Sequence, residues 1–466
     1  MSTSTIASAR RNTELGLIVM AAVITTSAYV LASLAQDATI PARVVPFLVI
    51  TLGLLLVAHI ANRVLAKGAE PRLLPLAAFL HGIGYVMIAR LDQDLAGLQA
   101  TWTFVAILAY IGVLVFVPDT RRLARWNWWF LGIAIILLLL PLVPGLGRSI
   151  GGARIWVSIG PINFQPGEFA KVLLALFFAG YLADKREVIA DGVRIGPIRL
   201  PELRHLLPIA IAWGFAVMIM VAQKDLGSSL LFFTLFVVML WVSTGKVAYL
   251  VTGFMLFAVA AVSAWMLFDH VQTRVSIWLD PWPDYEGTGY QPIQAMFAFA
   301  NGGVDGTGIG LGSPTKIPAV QNDFIFAAIG EEFGLLGATA VLLAFVLLIG
   351  AGLRVAIRSE RPYETLLATG LTTILGVQAF IIIGGVVRLV PLTGITLPFV
   401  SYGGSSLVAN YVLLALLVRM SDMTARRLGE VPDELSFGER LERRMARRRQ
   451  RTQTVAPASG ERGLPV

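Results

Sequence analysis

Uncharged apolar stretches follow one another along most of the chain. Residues 15–35, L-G-L-I-V-M-A-A-V-I-T-T-S-A-Y-V-L-A-S-L-A, hold no charge, and at ~1.5 Å per helical residue they match the thickness of a bilayer core. Reading runs of about 17–25 residues in this way predicts about twelve membrane-spanning helices, near 15–35, 44–62, 73–90, 100–118, 126–145, 168–184, 206–223, 226–244, 247–268, 324–352, 364–387 and 404–420. The seventh and eighth are open to a second reading, as one re-entrant unit broken at Lys224–Asp225–Leu226–Gly227. A transmembrane barrel would alternate apolar and polar residues in ~10-residue segments, a pattern not found here. The predicted fold class is therefore an all-α polytopic membrane protein. The first run has a basic lead, Arg10 and Arg11, but it is long and no small-residue cleavage site stands out, so it reads as a retained helix.

Composition and charge sharpen the picture. Of 466 residues 56% are hydrophobic and 14% charged, against about 25% charged in soluble domains. Cations gather in alternate connections: Arg63, Lys67 and Arg72; Arg121, Arg122 and Arg125; Lys185, Arg186, Arg194, Arg199 and Arg204; Lys246; and Arg354, Arg358 and Arg361. The other connections hold scattered cations such as Arg43, Arg90, Arg148 and Arg274. The positive-inside rule then places both termini in the cytoplasm. This divides the chain into a cytoplasmic N-terminus (1–14), N-terminal spans (15–145), a core (146–420) and a basic cytoplasmic tail (421–466) that is partly disordered. The stretch 438–451 carries a dense run of arginines, which suits anionic membrane lipids better than nucleic acid. The net charge of +8 follows this topology, and no nucleic-acid partner is expected. Absence of cysteine excludes disulfides and thiolate chemistry.

Two long polar segments then face outward, about 144–166 and 269–323. Long loops in compact proteins are usually functional. The first holds G-A-R-I-W, with Arg154 and Trp156, and leads into F-Q-P-G-E-F-A-K, where Glu168 and Lys171 share a helical face and can pair. Charges within spans cost at least ~2.5 kcal/mol each, so they face a cavity or a partner; a packing ion pair is the plainer reading. In Q-K-D-L-G-S-S-L, Lys224 and Asp225 sit at a helix break that could meet a phosphate, or Lys224 could merely snorkel. The glycines of 301–314 are no dinucleotide fingerprint, because no strand–turn–helix surrounds them. Asp323 stands where the long loop enters an apolar helix; partial desolvation there raises basicity, and an N-cap is its structural alternative. Glu331 and Glu332 lie about 12 Å deeper, too far for a glycosidase pair. Arg388 ends the eleventh span, before a run broken by Pro, Gly and Ser that includes Ser401 and Ser405. Broken helices in membranes line cavities, and a guanidinium there suits a phosphate.

These motifs, in order, resemble the SEDS family (shape, elongation, division and sporulation): G-A-R-I-W, F-Q-P-G-E-F-A-K, K-D-L-G-S-S, G-T-G-Y-Q, N-D-F-I-F-A-A-I-G-E-E-F-G and P-L-T-G-I-T-L-P-F-V-S-Y-G-G-S-S, over about residues 145–420. The chain is most similar to actinobacterial forms of the elongation branch, with the division branch as the alternative. The resemblance implies a SEDS-type helical bundle with a long extracytoplasmic loop. It implies a peptidoglycan glycosyltransferase that polymerises lipid II beside a class B penicillin-binding protein. The family's essential aspartate falls on Asp323 and its outer-loop tryptophan on Trp156. Ile155, Asn322 and Gly167 depart from the family's usual Arg or Lys, Thr and Ser. In such a reaction Asp323 would be the base, while Lys224, Arg388, Arg154, Arg274 or a divalent cation (magnesium or manganese) would neutralise the pyrophosphate leaving group. Glu168, Lys171, Asp225, Ser401 and Ser405 complete the expected substrate contacts, and inversion at the anomeric carbon is the expected outcome. A lipid II flippase and a recruiting scaffold are the competing readings. Intramembrane charges and broken helices suit transport too, but these charges cluster near the outer ends of the spans rather than at the midplane.

Overall fold

The structure, a computed structural model, describes residues 3–37, 45–150, 152–160, 162–191, 193–195, 198–200 and 203–432. Each of the twelve apolar runs lies on a helix. In chain order the helices are α1 (Thr3–Asp37), α2 (Val45–Leu65), α3 (Leu73–Leu91), α4 (Gln93–Phe116), the single turn α5 (Arg121–Ala124), α6 (Asn127–Leu139), α7 (Pro166–Asp191), α8 (Leu203–Ala222), α9 (Leu226–Thr244), α10 (Ala248–Leu267), α11 (Asp269–Leu279), α12 (Tyr290–Gly302), α13 (Ile325–Arg358), α14 (Pro362–Val386) and α15 (Gly404–Arg427). Among the described residues ten helices are long and apolar enough to cross a membrane; Asn127–Leu142 and Ala210–Ala222 are shorter apolar helices. The seventh and eighth runs form two helices, α8 and α9, separated by a break at residues 223–225.

Local chemistry sets the ends. The Asp92 carboxylate accepts the Asp94 and Leu95 N–H groups and so caps α4. Proline at position 362 opens α14, where a missing N–H costs nothing. Gly245, at φ +69°, closes α9. Helices α7, α14 and α15 form the centre, and most of their side chains are buried. Lipid offers apolar side chains no reason to leave it, so such helices associate through close approach and polar contacts. Accordingly Gly352 lies against Thr372 and Gly370 against Met239. By contrast α10 packs mainly on α9 and turns Phe254, Met255, Val259 and Met266 outward.

Three features depart from the expectation. Helix α1 begins at Thr3 rather than near residue 15, because Arg11 and Glu14 are buried and partnered. Glu14 pairs with Arg11 and with His59 (2.8 Å) and accepts from Asn62 (3.2 Å), whose carbonyl accepts the Tyr110 hydroxyl (2.6 Å). The outward segment at 144–166 is not featureless: it forms an antiparallel sheet of β1 (Gly147–Ile150), β2 (Ala153–Ile159) and β3 (Ile162–Phe164), with Arg148 opposite Trp156. The segment 269–323 is not one loop either, since it contains α11 and α12. The arginine run at 438–451 and the stretch 452–466 lie outside the described residues.

At the end of the bundle where α15 finishes, charges are interlocked. Buried Asp422 accepts the Gly68 N–H (2.7 Å) and pairs with Arg426 (2.9 Å) and Arg419 (3.4 Å). Arg427 pairs with Glu364, and Arg10 and Arg358 both pair with Glu430. At the other end lie the sheet, α11, α12 and the start of α13.

Candidate active site

A cavity of about 170 Å³ opens at this second end. Its walls come from α11 (Arg274, Ile277, Trp278), the start of α12 (Thr288, Gln291, Pro292), the entry to α13 (Asp323, Phe324) and the segment after α14 (Gly385, Arg388, Val390, Leu392, Gly394). Of the residues singled out from the sequence, Asp323, Arg274 and Arg388 meet here.

Asp323 immediately precedes the residue that caps α13, Phe324, so it is not itself the N-cap. Its carboxyl is half-buried, and desolvation pushes its pKa above the ordinary carboxylate value, with the positive charge of Arg274 opposing the rise. Arg274 extends from α11 and donates to the Leu392 carbonyl (2.8 Å). Burial pushes the Arg274 pKa down, while Asp225 and Asp323 pull it up. Gly394, at φ +74°, lies between these groups: a Cβ there would stand 3.9 Å from both the Arg274 guanidinium and the Asp323 Oδ2. Its missing side chain keeps the space between cation and carboxylate open.

Arg388 adopts φ +62° and clasps α11. It donates to the Trp278 carbonyl (2.8 Å) and the Leu279 carbonyl (3.1 Å), while the Trp278 indole donates back to the Arg388 carbonyl (3.0 Å). Among the described residues its buried Nε meets no acceptor, so this guanidinium still has a donor to offer.

The remaining candidates do not line the cavity. Glu168 and Lys171 form a buried pair at 2.6 Å, and Lys171 also donates to Gln378 (2.7 Å), which donates to the Thr396 carbonyl (2.8 Å). The pair thus supports the broken segment from beneath. Asp225 caps α9 by accepting the Ser228 N–H (3.0 Å); burial pushes its pKa up, and nearby Glu168 adds to the rise. Lys224 is exposed at φ +59°. Ala319 and Phe399 likewise combine a side chain with positive φ, +50° and +65°. Ser401 accepts the Leu397 N–H (2.9 Å), and Ser405 accepts the Gln165 N–H (3.0 Å), so both hydroxyls hold backbone. Arg154 is tied through its backbone N–H to the Gln223 carbonyl (3.0 Å), and Trp156 sits half-buried in β2. Neither reaches the cavity wall.

Sequence reasoning passed over Trp278, Thr288 and Gln291. Thr288 belongs to a turn in which Asp284 accepts its N–H (2.8 Å) and its hydroxyl (2.6 Å). Gln291 donates to the Pro318 carbonyl (2.9 Å) and so ties α12 to the segment leading to Asp323. The signal was present in the quoted G-T-G-Y-Q, where two polar side chains three apart flank the first turn of a helix. In sum the cavity offers one desolvated carboxylate facing two guanidiniums, which suits removal of a proton beside a bound anion.

The chain has relatives among known proteins. The cell cycle protein family of FtsW, RodA and SpoVE matches residues 71–426. The peptidoglycan glycosyltransferase RodA of Mycobacterium tuberculosis is 43% identical over 436 residues, 91% of this chain and 93% of that protein. A solved chain described under structural coordination of polymerization and crosslinking by a peptidoglycan synthase complex is 27% identical, with a TM-score of 0.63 over 76% of this chain and 98% of its own. The crystal structure of the rod shape determining protein RodA of Thermus thermophilus is 26% identical, with a TM-score of 0.54 over 76% and 96%. By sequence and by fold, the chain belongs to the FtsW, RodA and SpoVE family of cell cycle proteins.

Proposed function

We propose that the chain is an inverting peptidoglycan glycosyltransferase that polymerises lipid II during cell elongation, at the outer face of the cytoplasmic membrane and with both termini inside. The observation that carries this reading is Asp323, a carboxyl of raised pKa facing Arg274 and Arg388 across one cavity. The acceptor hydroxyl must lose a proton as it attacks the donor's anomeric carbon, and Asp323 is the base. A single displacement inverts that carbon. Polyprenyl pyrophosphate leaves as a stable anion, so it requires cations rather than an acid; Arg274 and Arg388 supply them. Isoprenoid tails lie along apolar helix faces beside the cavity. The cavity wall carries one carboxylate against two guanidiniums, which fits a divalent cation carried on the pyrophosphate better than one caged by protein. A class B penicillin-binding protein is the partner that cross-links the product; the similarity to a chain of a peptidoglycan synthase complex supports this.

Purified protein, supplied with its transpeptidase and labelled lipid II, is expected to yield glycan chains. Asp323→Asn is expected to lower the rate by about 10²–10⁴-fold, the range for a lost general base. A chelator arm tests the cation. Because the chain has no cysteine, Asn322→Cys provides a single label, expected to react from outside the cell. Full-rate polymerisation by Asp323→Asn, or labelling only from the cytoplasm, would end this reading.

A further inference from the structure

Helix α1 lies outside the stretch matched by the family, residues 71–426, yet it reaches the segment that carries Asp323. Gly310, in the connection between α12 and α13, has φ +85°. A Cβ built on it would meet the Ala32 carbonyl oxygen at 2.7 Å and the Ala35 methyl at 3.0 Å, so the loop backbone rests directly on the last turns of α1. Ile309 and Phe333 join the apolar cluster formed by Ala28, Tyr29 and Ala32.

The same loop is fastened to the start of α13. The Gly310 N–H donates to Glu332 (2.8 Å), and the Ser313 N–H donates to Glu331 (3.1 Å). Arg90 pairs with Glu332 (3.2 Å) and donates to the Gly310 (3.3 Å) and Gly312 (3.1 Å) carbonyls. Glu331 and Glu332 stand two turns beyond Asp323, and the loop ends at Asp323 itself. Any displacement of Gly310 therefore reaches the carboxylate from both directions.

Far from Gly310, the pairing of Glu14 with Arg11, His59 and Asn62 fixes α1 against α2. From Glu14 to Ala32 is about 27 Å of helix. Between apolar helices, buried polar contacts set rotation and depth where greasy faces would tolerate slippage.

We propose that α1 is a positioning element for Asp323: a strut locked in register by Glu14, whose turn at Ala32 and Ala35 sets the height of the Gly310 loop and, through it, of the carboxylate. This rests on the reading of Asp323 as the base.

The test uses the full chain with its transpeptidase. Ala32→Leu, which overfills the buried cluster that Ile309 joins beside Gly310, is expected to lower kcat about tenfold, as small misplacements of a reacting group do. The KM for lipid II should stay nearly unchanged, and amide exchange should speed up across 303–324. Ala32→Ser should behave as the parent. Glu14→Gln, at the far end of the strut, should also loosen 303–324 and lower kcat to a lesser degree, a result that no local clash at Gly310 can give. A folded Ala32→Leu protein with parental exchange and kcat overturns the inference, as does Glu14→Gln with unchanged exchange. Should Ala32→Leu fail to fold, Glu14→Gln decides alone. A parent that makes no glycan breaks the glycosyltransferase reading, while the exchange measurements still decide the strut.

Discussion

Two aspartates show how differently the ends of this bundle use charge. Asp422, near the end of α15, is fully buried and held by the Gly68 N–H, Arg419 and Arg426. Asp323, at the start of α13, is half-buried and faces Arg274 across an open cavity without a salt bridge among the described residues. The first is matched in place; the second stands apart from its partner, with Gly394 beside both groups and Arg274 bound to the Leu392 carbonyl. An ion pair completed within the protein has nothing left for a ligand, whereas a carboxylate and two guanidiniums kept apart leave room for a substrate to complete the set. One end closes the bundle. The other is built to be finished by something else.

The sharpest way to break this contrast is to cut each aspartate. Asp422→Ala leaves two guanidiniums without their carboxylate and is expected to cost about 3–5 kcal/mol of stability, read as a lowered unfolding midpoint in detergent, with activity per folded molecule retained. Equal stability losses from Asp422→Ala and Asp323→Asn would erase the distinction. Next in size, Arg388→Ala removes a charged donor from the cavity wall. It should lower kcat/KM by about ten- to a hundredfold, the worth of a hydrogen bond to a charged group, and loosen α11 without a comparable loss of stability. Unchanged kcat/KM would remove Arg388 from the site.

The smallest expected effect concerns pH. A base acts when deprotonated, so activity falls as pH drops through the Asp323 pKa, which burial has raised. Arg274 pulls that pKa down. Arg274→Gln should therefore move the acid limb of the pH–rate profile to higher pH. A limb that stays put, or moves to lower pH, shows that the two groups do not sense each other.

The helices were legible because a run of some twenty apolar residues has few other fates. The glycine- and proline-rich 269–323 segment was harder. Its helices α11 and α12 are short and only partly apolar, so neither length nor composition marks them. Asp323 and Arg388 were readable as unusual charges at helix ends and Arg274 as a cation of the long loop, but their meeting depends on folding that brings α11 against a segment more than a hundred positions later. The same holds for Trp278, which finds Arg388 across that interval. Glu14 was missed because a charge near the start of a span looks like a flank. The clue was a paired spacing, Arg11 with Glu14 on one helix and His59 with Asn62 on the next, each three apart and so on one face.

The left-handed backbone at Lys224, Ala319, Arg388 and Phe399 bears on how such a protein would respond to selection for heat resistance. Each side chain in that conformation costs about 1–3 kcal/mol, and all four surround the cavity end rather than the interlocked one. Phe399 is buried against Tyr411 and Arg388 clasps α11, so glycine at either would lose more packing than it relaxes. At exposed Lys224 and Ala319 glycine would relax the chain, and selection blind to catalysis would take those exchanges first. A lineage hardened in this way would grow robust by slackening the frame around its own cavity.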